Sequence, residues 1–354
     1  MPVRLAAAVV AAVIALGPAA AQRDAPVRVL VYHDMEGLAG QDDPNTFRFD
    51  HPLQYAQGRR FLVADVNAVV AGLFDGGATE VHVVDAHGSG NPEPDIPAGS
   101  LDPRATQVFR DKPFRQYVDL VEPDRYEAVA VVGMHAKTGS RGFAAHTYTL
   151  GIALEINGES ITETELIGYS WGRVGVPVIL ASGDDRLEEN LRTMPWLQFV
   201  RTKRATSAST AELRPVDEVH AEMRAKAKQA VEGLAGAKVM RLDGPVRAAV
   251  KVVPPASLEV LKGVPGLGHA DDRVEFEVAD FGAAYDGMIA LIGVATRAYP
   301  QVLMETIGKR PDGQAMRREY SDRLFERWLD YESGRWTPPS PPAPPAGRRY
   351  HGAN

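Results

Sequence analysis

Asp34 and Glu36 stand two residues apart in Asp-Met-Glu-Gly, Asp85 and His87 in Asp-Ala-His-Gly, and His135 in Gly-Met-His-Ala. Carboxylate oxygens and imidazole nitrogens suit zinc well, and manganese or cobalt less exclusively. The chain contains no cysteine, so a metal centre must use His, Asp and Glu, and no disulfide can form. Singly, these residues have plainer uses. An Asp-x-Glu pair after a strand is commonly a solvated loop or a helix cap, and a lone histidine there a hydrogen-bonded loop residue. Their repetition at successive strand ends is what suggests a constellation.

His146 lies eleven residues after His135, in Gly-Phe-Ala-Ala-His-Thr. From the residues alone it is open to three uses: a ligand, a proton carrier or oxyanion stabiliser, or a buried histidine holding a loop. His33 and His82 have weaker claims, and His51, His220, His269 and His351 read as surface or tail residues.

The motifs need elements to carry them. Residues 27–32, 80–85 and 127–133 are apolar runs that read as buried strands, each delivering one motif. Residues 59–74 repeat apolar side chains at helical spacing and stop at Gly76-Gly77. Residues 152–161 read as a hairpin about Asn157-Gly158, followed by a helix over 162–173 and a strand over 176–182. Strands alternating with helices imply an α/β fold, its sheet covered on both faces and at least partly parallel. Ligands in such sheets bind beyond the carboxyl ends of the strands, where the motifs fall. Further on, a helix over 218–236, strands at 246–252 and 273–278 and a helix over 283–298 suggest a smaller α/β subdomain. The expected division is 22–204 for the domain carrying the candidate ligands, 205–336 for the subdomain, and 337–354 for a solvated proline-rich tail.

Residues 1–21 combine Arg4, an apolar run over 5–17 and Ala19-Ala20-Ala21 before Gln22, the form of a cleavable export leader. A periplasmic or secreted location is expected. No later segment reads as long and apolar enough to span a membrane. The net charge of -7 is spread without a basic block, which argues against nucleic acid or anionic membrane as the main partner.

Asp34-Met-Glu-Gly, Asp85-Ala-His87, Gly133-Met-His135-Ala and His146, with Ile156-Asn157 leading to Glu163 and Val176-Pro177-Val178 through Gly183-Asp184-Asp185-Arg186, resemble the D-aminopeptidase family of dizinc metallopeptidases. The similarity runs over about residues 27–298 with order and spacing kept. It implies that Asp34, Glu36, His87, His135 and Glu163 are zinc ligands, Asp34 a bridge, and His146 the catalytic residue outside the ligand set. Glu165 lies near Glu163 on the same predicted helix start, and the distance from Ile156-Asn157 favours Glu163. The resemblance further implies a three-layer α/β/α sandwich with a mixed, mostly parallel sheet, two zinc ions per subunit, and a ring-like homo-oligomer whose sites open to an inner cavity. Three carboxylates, two Zn²⁺ and a bridging hydroxide would sum to zero charge, which suits a cleft of low dielectric.

The implied function is an exported metallo-aminopeptidase acting on short peptides, D-residues at the N-terminus included. An exported peptide-binding protein with a non-catalytic metal site, and another metal-dependent amidohydrolase, are the competing expectations. The chain departs from the family in its leader, in an extension from about Gln314, and in His33 before Asp34.

Overall fold

A computed structural model describes residues 25–88, 90–335 and 347–352. The expected leader and the proline-rich stretch up to residue 346 lie outside the described residues.

Twelve strands and seven α-helices follow in the described chain. The first half contains β1 (Arg28–His33), α1 (Pro52–Asp75), β2 (Glu80–Asp85), β3 (Thr106–Gln107), β4 (Ala128–Met134), β5 (Ile152–Ile156), β6 (Glu159–Ile161), α2 (Glu163–Gly172), β7 (Val178–Asp184) and α3 (Asp185–Asn190). The second half adds β8 (Gln198–Ser207), β9 (Thr210–Leu213), α4 (Val216–Glu232), β10 (Val246–Val252), β11 (Gly268–Ala270), β12 (Arg273–Val278), α5 (Phe281–Ala295), α6 (Pro300–Gly308) and α7 (Gly313–Glu332). Helix α1 begins two turns before the expected residue 59 because Pro52 occupies its first turn, where a missing N–H costs nothing. It stops at Gly76, as expected.

Seven strands form a mixed, mostly parallel sheet in the order β3-β2-β1-β4-β7-β8-β9, with only β9 antiparallel to its neighbour. Strands β1 and β4 are apolar on both sides because both faces are covered. Val29, Val31, Val81, Val83, Ala130 and Val132 bury against α1 and α4, which pack on each other. Leu30, Tyr32, Val84, Val129 and Val131 face the opposite way, toward α2 and a continuous core that also takes in α5 and the second sheet. This second sheet is antiparallel, in the order β11-β12-β10-β5-β6. The fold is thus α/β, as the strand–helix alternation implies.

The division near residue 204 does not match this architecture. Residue 204 lies inside β8, while β5 and β6, from well before it, belong to the second sheet. The two sheets interleave along the chain. Residues 347–352 also differ from the solvated tail expected there: Tyr350 forms a backbone bridge with Arg110, and both Tyr350 and His351 are buried. Against the expectation of no later span, the helical run Phe281–Gly308 has the length and apolar character of one. Its first part, α5, buries Phe281, Ala284, Tyr285, Met288, Leu291 and Ile292 in the core, which accounts for that character.

Candidate metal centre

Strands β2, β1 and β4 are adjacent and parallel, so their carboxyl ends present His87, Asp34 and His135 along one edge of the sheet. Two glycines allow the loops beyond them to close up. Gly37 N donates to Gly133 O at 2.7 Å, and a Cβ on Gly37 would overlap the Met134 carbonyl. Gly133 has φ +73°, a conformation costly for other residues, and a Cβ there would press on the Asp34 carbonyl.

Glu163 comes from the other sheet. Strand β6 leads into Thr162, whose side chain accepts Glu165 N at 3.0 Å, while Glu165 Oε2 accepts Thr162 N at 2.8 Å. This capping box uses the Glu165 carboxylate. Glu163, the first residue of α2, is left to point at His135, its Oε1 3.3 Å from the Nε2 of that ring.

The ligand atoms of Asp34, Glu36 and His87 lie within 4.8 Å of one another, as do those of His135, His146 and Glu163. Asp34 stands between the groups, with Oδ2 3.4 Å from His135 Nε2. Glu36 Oε1 is 3.6 Å from His87 Nε2. All six residues called from the sequence are therefore brought together, and the structure groups His146 with two of the candidate ligands. The His146 ring stacks on that of His135, centroids 3.8 Å apart.

Partners outside the centre aim these groups. His87 Nδ1 lies 2.8 Å from Asp95 Oδ2, and Asp95 also bonds the Tyr55 hydroxyl. The Nδ1 atoms of His135 and His146 donate to the carbonyls of Ala136 and Ala144, at 3.1 and 2.7 Å. With the proton on Nδ1, each Nε2 turns a lone pair inward. Tyr117 donates its hydroxyl to Glu163 Oε2 at 2.5 Å, and Tyr148 N donates to Oε1 at 2.6 Å. Lys203, wholly buried, donates to the Glu36 carbonyl at 2.7 Å and to Gln41 Oε1 at 2.7 Å.

Electrostatically the centre is starved of positive charge. Burial and the neighbouring Asp34 push Glu36 well above the usual carboxylate range. Burial also opposes ionisation of Asp34, but the neighbouring His135 and Glu36 hold it low. Burial disfavours charge on His87, yet Glu36 and Asp95 raise it to about 10. His135 is likewise raised, by Glu163 and Asp34 against burial. Burial and the adjacent His135 instead lower His146 to about 4, which keeps it neutral near pH 7. Burial takes Lys203 down to about 7.

These residues fit a metal. His135 Nε2 is buried without a hydrogen-bond partner, although two carboxylate oxygens lie within 3.4 Å. An imidazole nitrogen set among carboxylates can take a metal cation in place of a proton, and the mixed imidazole and carboxylate set is one that zinc accepts. Asp34, Glu36, His87, His135 and Glu163 are the residues that would hold it.

Several supporting residues escaped the sequence reading. Asp95 carried a usable signal: an acidic residue in the loop eight positions after His87 is where a histidine's second partner is found. Thr162-x-x-Glu165 is a capping-box signature that would have separated Glu163 from Glu165. For Tyr117 and Lys203 we find no sequence signal. Of the other histidines, His33 is buried beside the centre without ring partners, His82 contacts Tyr126, and His220 pairs with Asp65.

A mostly parallel α/β sheet with a carboxylate–imidazole cluster beyond its strand ends is an arrangement that suits metal-assisted hydrolysis. The profile of the D-aminopeptidase family matches residues 27–290, and the chain belongs to that family of peptidases. A D-aminopeptidase of Bacillus subtilis (strain 168) is 27% identical over 271 residues, which cover 75% of this chain and 96% of the relative. Among solved structures, the chain is similar to the Zn-dependent D-aminopeptidase DppA from Bacillus subtilis, described as a self-compartmentalizing protease. The TM-score is 0.68 at 24% identity, over 77% of this chain and 98% of that one.

Proposed function

We propose that this chain is an exported zinc metallo-aminopeptidase that hydrolyses short peptides, including those with D-residues at the N-terminus. The observation that carries the reading is the convergence of Asp34, Glu36, His87, His135 and Glu163 in one buried cluster. Zinc dependence is supported by the donor set and by the description of the similar DppA. When bound, a zinc pair supplies Lewis acidity toward a carbonyl and toward water. The chain's own residues supply the rest. Asp34, Glu36 and Glu163 balance the charge of the ions, and Asp95, Tyr117 and the backbone carbonyls keep ligands oriented. His146, neutral and with Nε2 turned inward, takes a proton from the attacking water and returns it to the leaving amine. Residues 1–21 are read as the export leader, cut near Ala21-Gln22. By analogy with the self-compartmentalizing relative, the subunits form a closed homo-oligomer that admits peptides and excludes folded proteins.

The test is a panel of dipeptides in matched D and L forms, assayed with and without chelator. Chelator-sensitive turnover of an N-terminal D-residue is expected. No turnover by protein carrying two equivalents of zinc would refute the peptidase reading. His146→Ala should abolish turnover with zinc content kept, and loss of zinc instead would make His146 a ligand. Intact mass of chain recovered from the periplasm tests the leader.

A further inference from the structure

Residues 347–352 lie beyond the stretch that the family profile matches, yet His351 packs against Asp85, two residues before His87. Tyr350 exchanges both backbone bonds with Arg110, at 2.9 and 2.7 Å, and Gly352 O accepts Phe114 N at 3.0 Å. Held between them, His351 places Nδ1 3.2 Å from Asp85 Oδ2, with side-chain exposures of 8% and 3%. The other oxygen of Asp85 accepts the backbone N–H of His87 at 3.0 Å. Asp95 fixes the ring of His87 from behind, and Asp85 fixes its backbone.

We propose that residues 347–352 form part of the wall of the active centre, and that His351 is a positioning residue acting through Asp85 on the turn that presents His87. The inference rests on reading His87 as a zinc ligand. A carboxylate as buried as Asp85 keeps its orientation only while its oxygens are hydrogen-bonded. The neighbour that could substitute, His33, is the register partner of Asp85 on β1, but its ring nitrogens make no hydrogen bond. Without His351, Asp85 is left under-satisfied and free to turn toward water, and the Asp85–His87 turn loosens. Outer partners of metal ligands of this kind are worth about 10–100-fold in metal affinity or activity.

The experiment compares wild type with His351→Ala, His351→Asn and a chain ending at residue 346, the last with and without a synthetic peptide of residues 347–354. Zinc affinity is read by chelator competition, and hydrogen exchange of residues 85–88 is read in metal-free protein. His351→Ala and the shortened chain should bind zinc about tenfold more weakly and exchange faster over 85–88. His351→Asn keeps an N–H where Nδ1–H stood, so it should recover most of both losses, as should the added peptide. Unchanged exchange and zinc affinity within twofold in His351→Ala would overturn the proposal, and so would tighter zinc binding by the shortened chain. If wild type holds less than one equivalent of zinc, the reading of the centre fails separately, and the exchange comparison still decides whether His351 holds the turn.

Discussion

Six acidic or imidazole side chains converge here, but a candidate ligand is only as good as the atom that aims it. His87 illustrates this. Its Nε2 faces Glu36 because Nδ1 is held 2.8 Å from Asp95, itself fully buried. Replacing Asp95 by Asn keeps the shape and removes the charge, which weakens the ring as a donor. We predict that Asp95→Asn lowers zinc affinity about 10–100-fold while the thermal midpoint of metal-free protein changes far less. Chelator competition and calorimetry on the same samples measure the two, and equal zinc affinity would remove Asp95 from the account. At this scale the sequence was informative wherever chemistry is local. Asp34, Glu36, His87 and His135 follow apolar strands directly, so residue type and position could be read together. Tyr117 acts on Glu163 from a distant loop, and that relation has no expression in local sequence.

Among the elements, α1 and α4 cover one face of the large sheet and are tied by two polar links, His220 to Asp65 at 2.8 Å and Arg224 to Asp75 at 2.6 Å. The bond to Asp65 raises the pKa of His220 above its ordinary value, against burial, with Asp217 adding to the effect. A raised folded-state pKa means that the folded protein binds the proton more tightly. The link is therefore fully present below the unfolded value of about 6.5 and is lost as pH rises through the folded one. Burial raises Asp65 as well, which gives the same sign in a lower window. Thermal midpoints should thus fall from about pH 6.5 upward in wild type, and His220→Gln, which donates without titrating, should flatten that fall. Parallel slopes in the two proteins would refute the link. The same scale shows where patterns mislead. Strands β1, β2 and β4 are readable because both faces are buried, and β10 and β12 were found at their observed bounds. Strand β8 is not legible because Arg201, Lys203 and Arg204 break up its apolar run, although Thr202 and the charged Lys203 are both buried.

For the whole molecule, the decisive fact is that the two sheets share one hydrophobic core, in which Leu30 and Val131 of the first join Leu154, Val250 and Tyr285 around the second. A fragment of residues 22–204 keeps every candidate ligand but loses β10, the partner of β5. It is predicted not to fold, giving far-UV circular dichroism and proteolysis of an unstructured chain. A cooperatively melting fragment would restore the division into two units. The exposed Phe325, Trp328 and Leu329 of α7 lie outside this core. The interleaving of the sheets also orders events in time. Glu163 is set in place by a hairpin that needs Ala248 opposite Ile156, so a chain emerging N-terminus first displays all its candidate ligands long before the centre can close. If the chain is exported and crosses the membrane unfolded, the centre closes, and meets its metal, only on the far side. The ion it carries is then chosen from that compartment's supply.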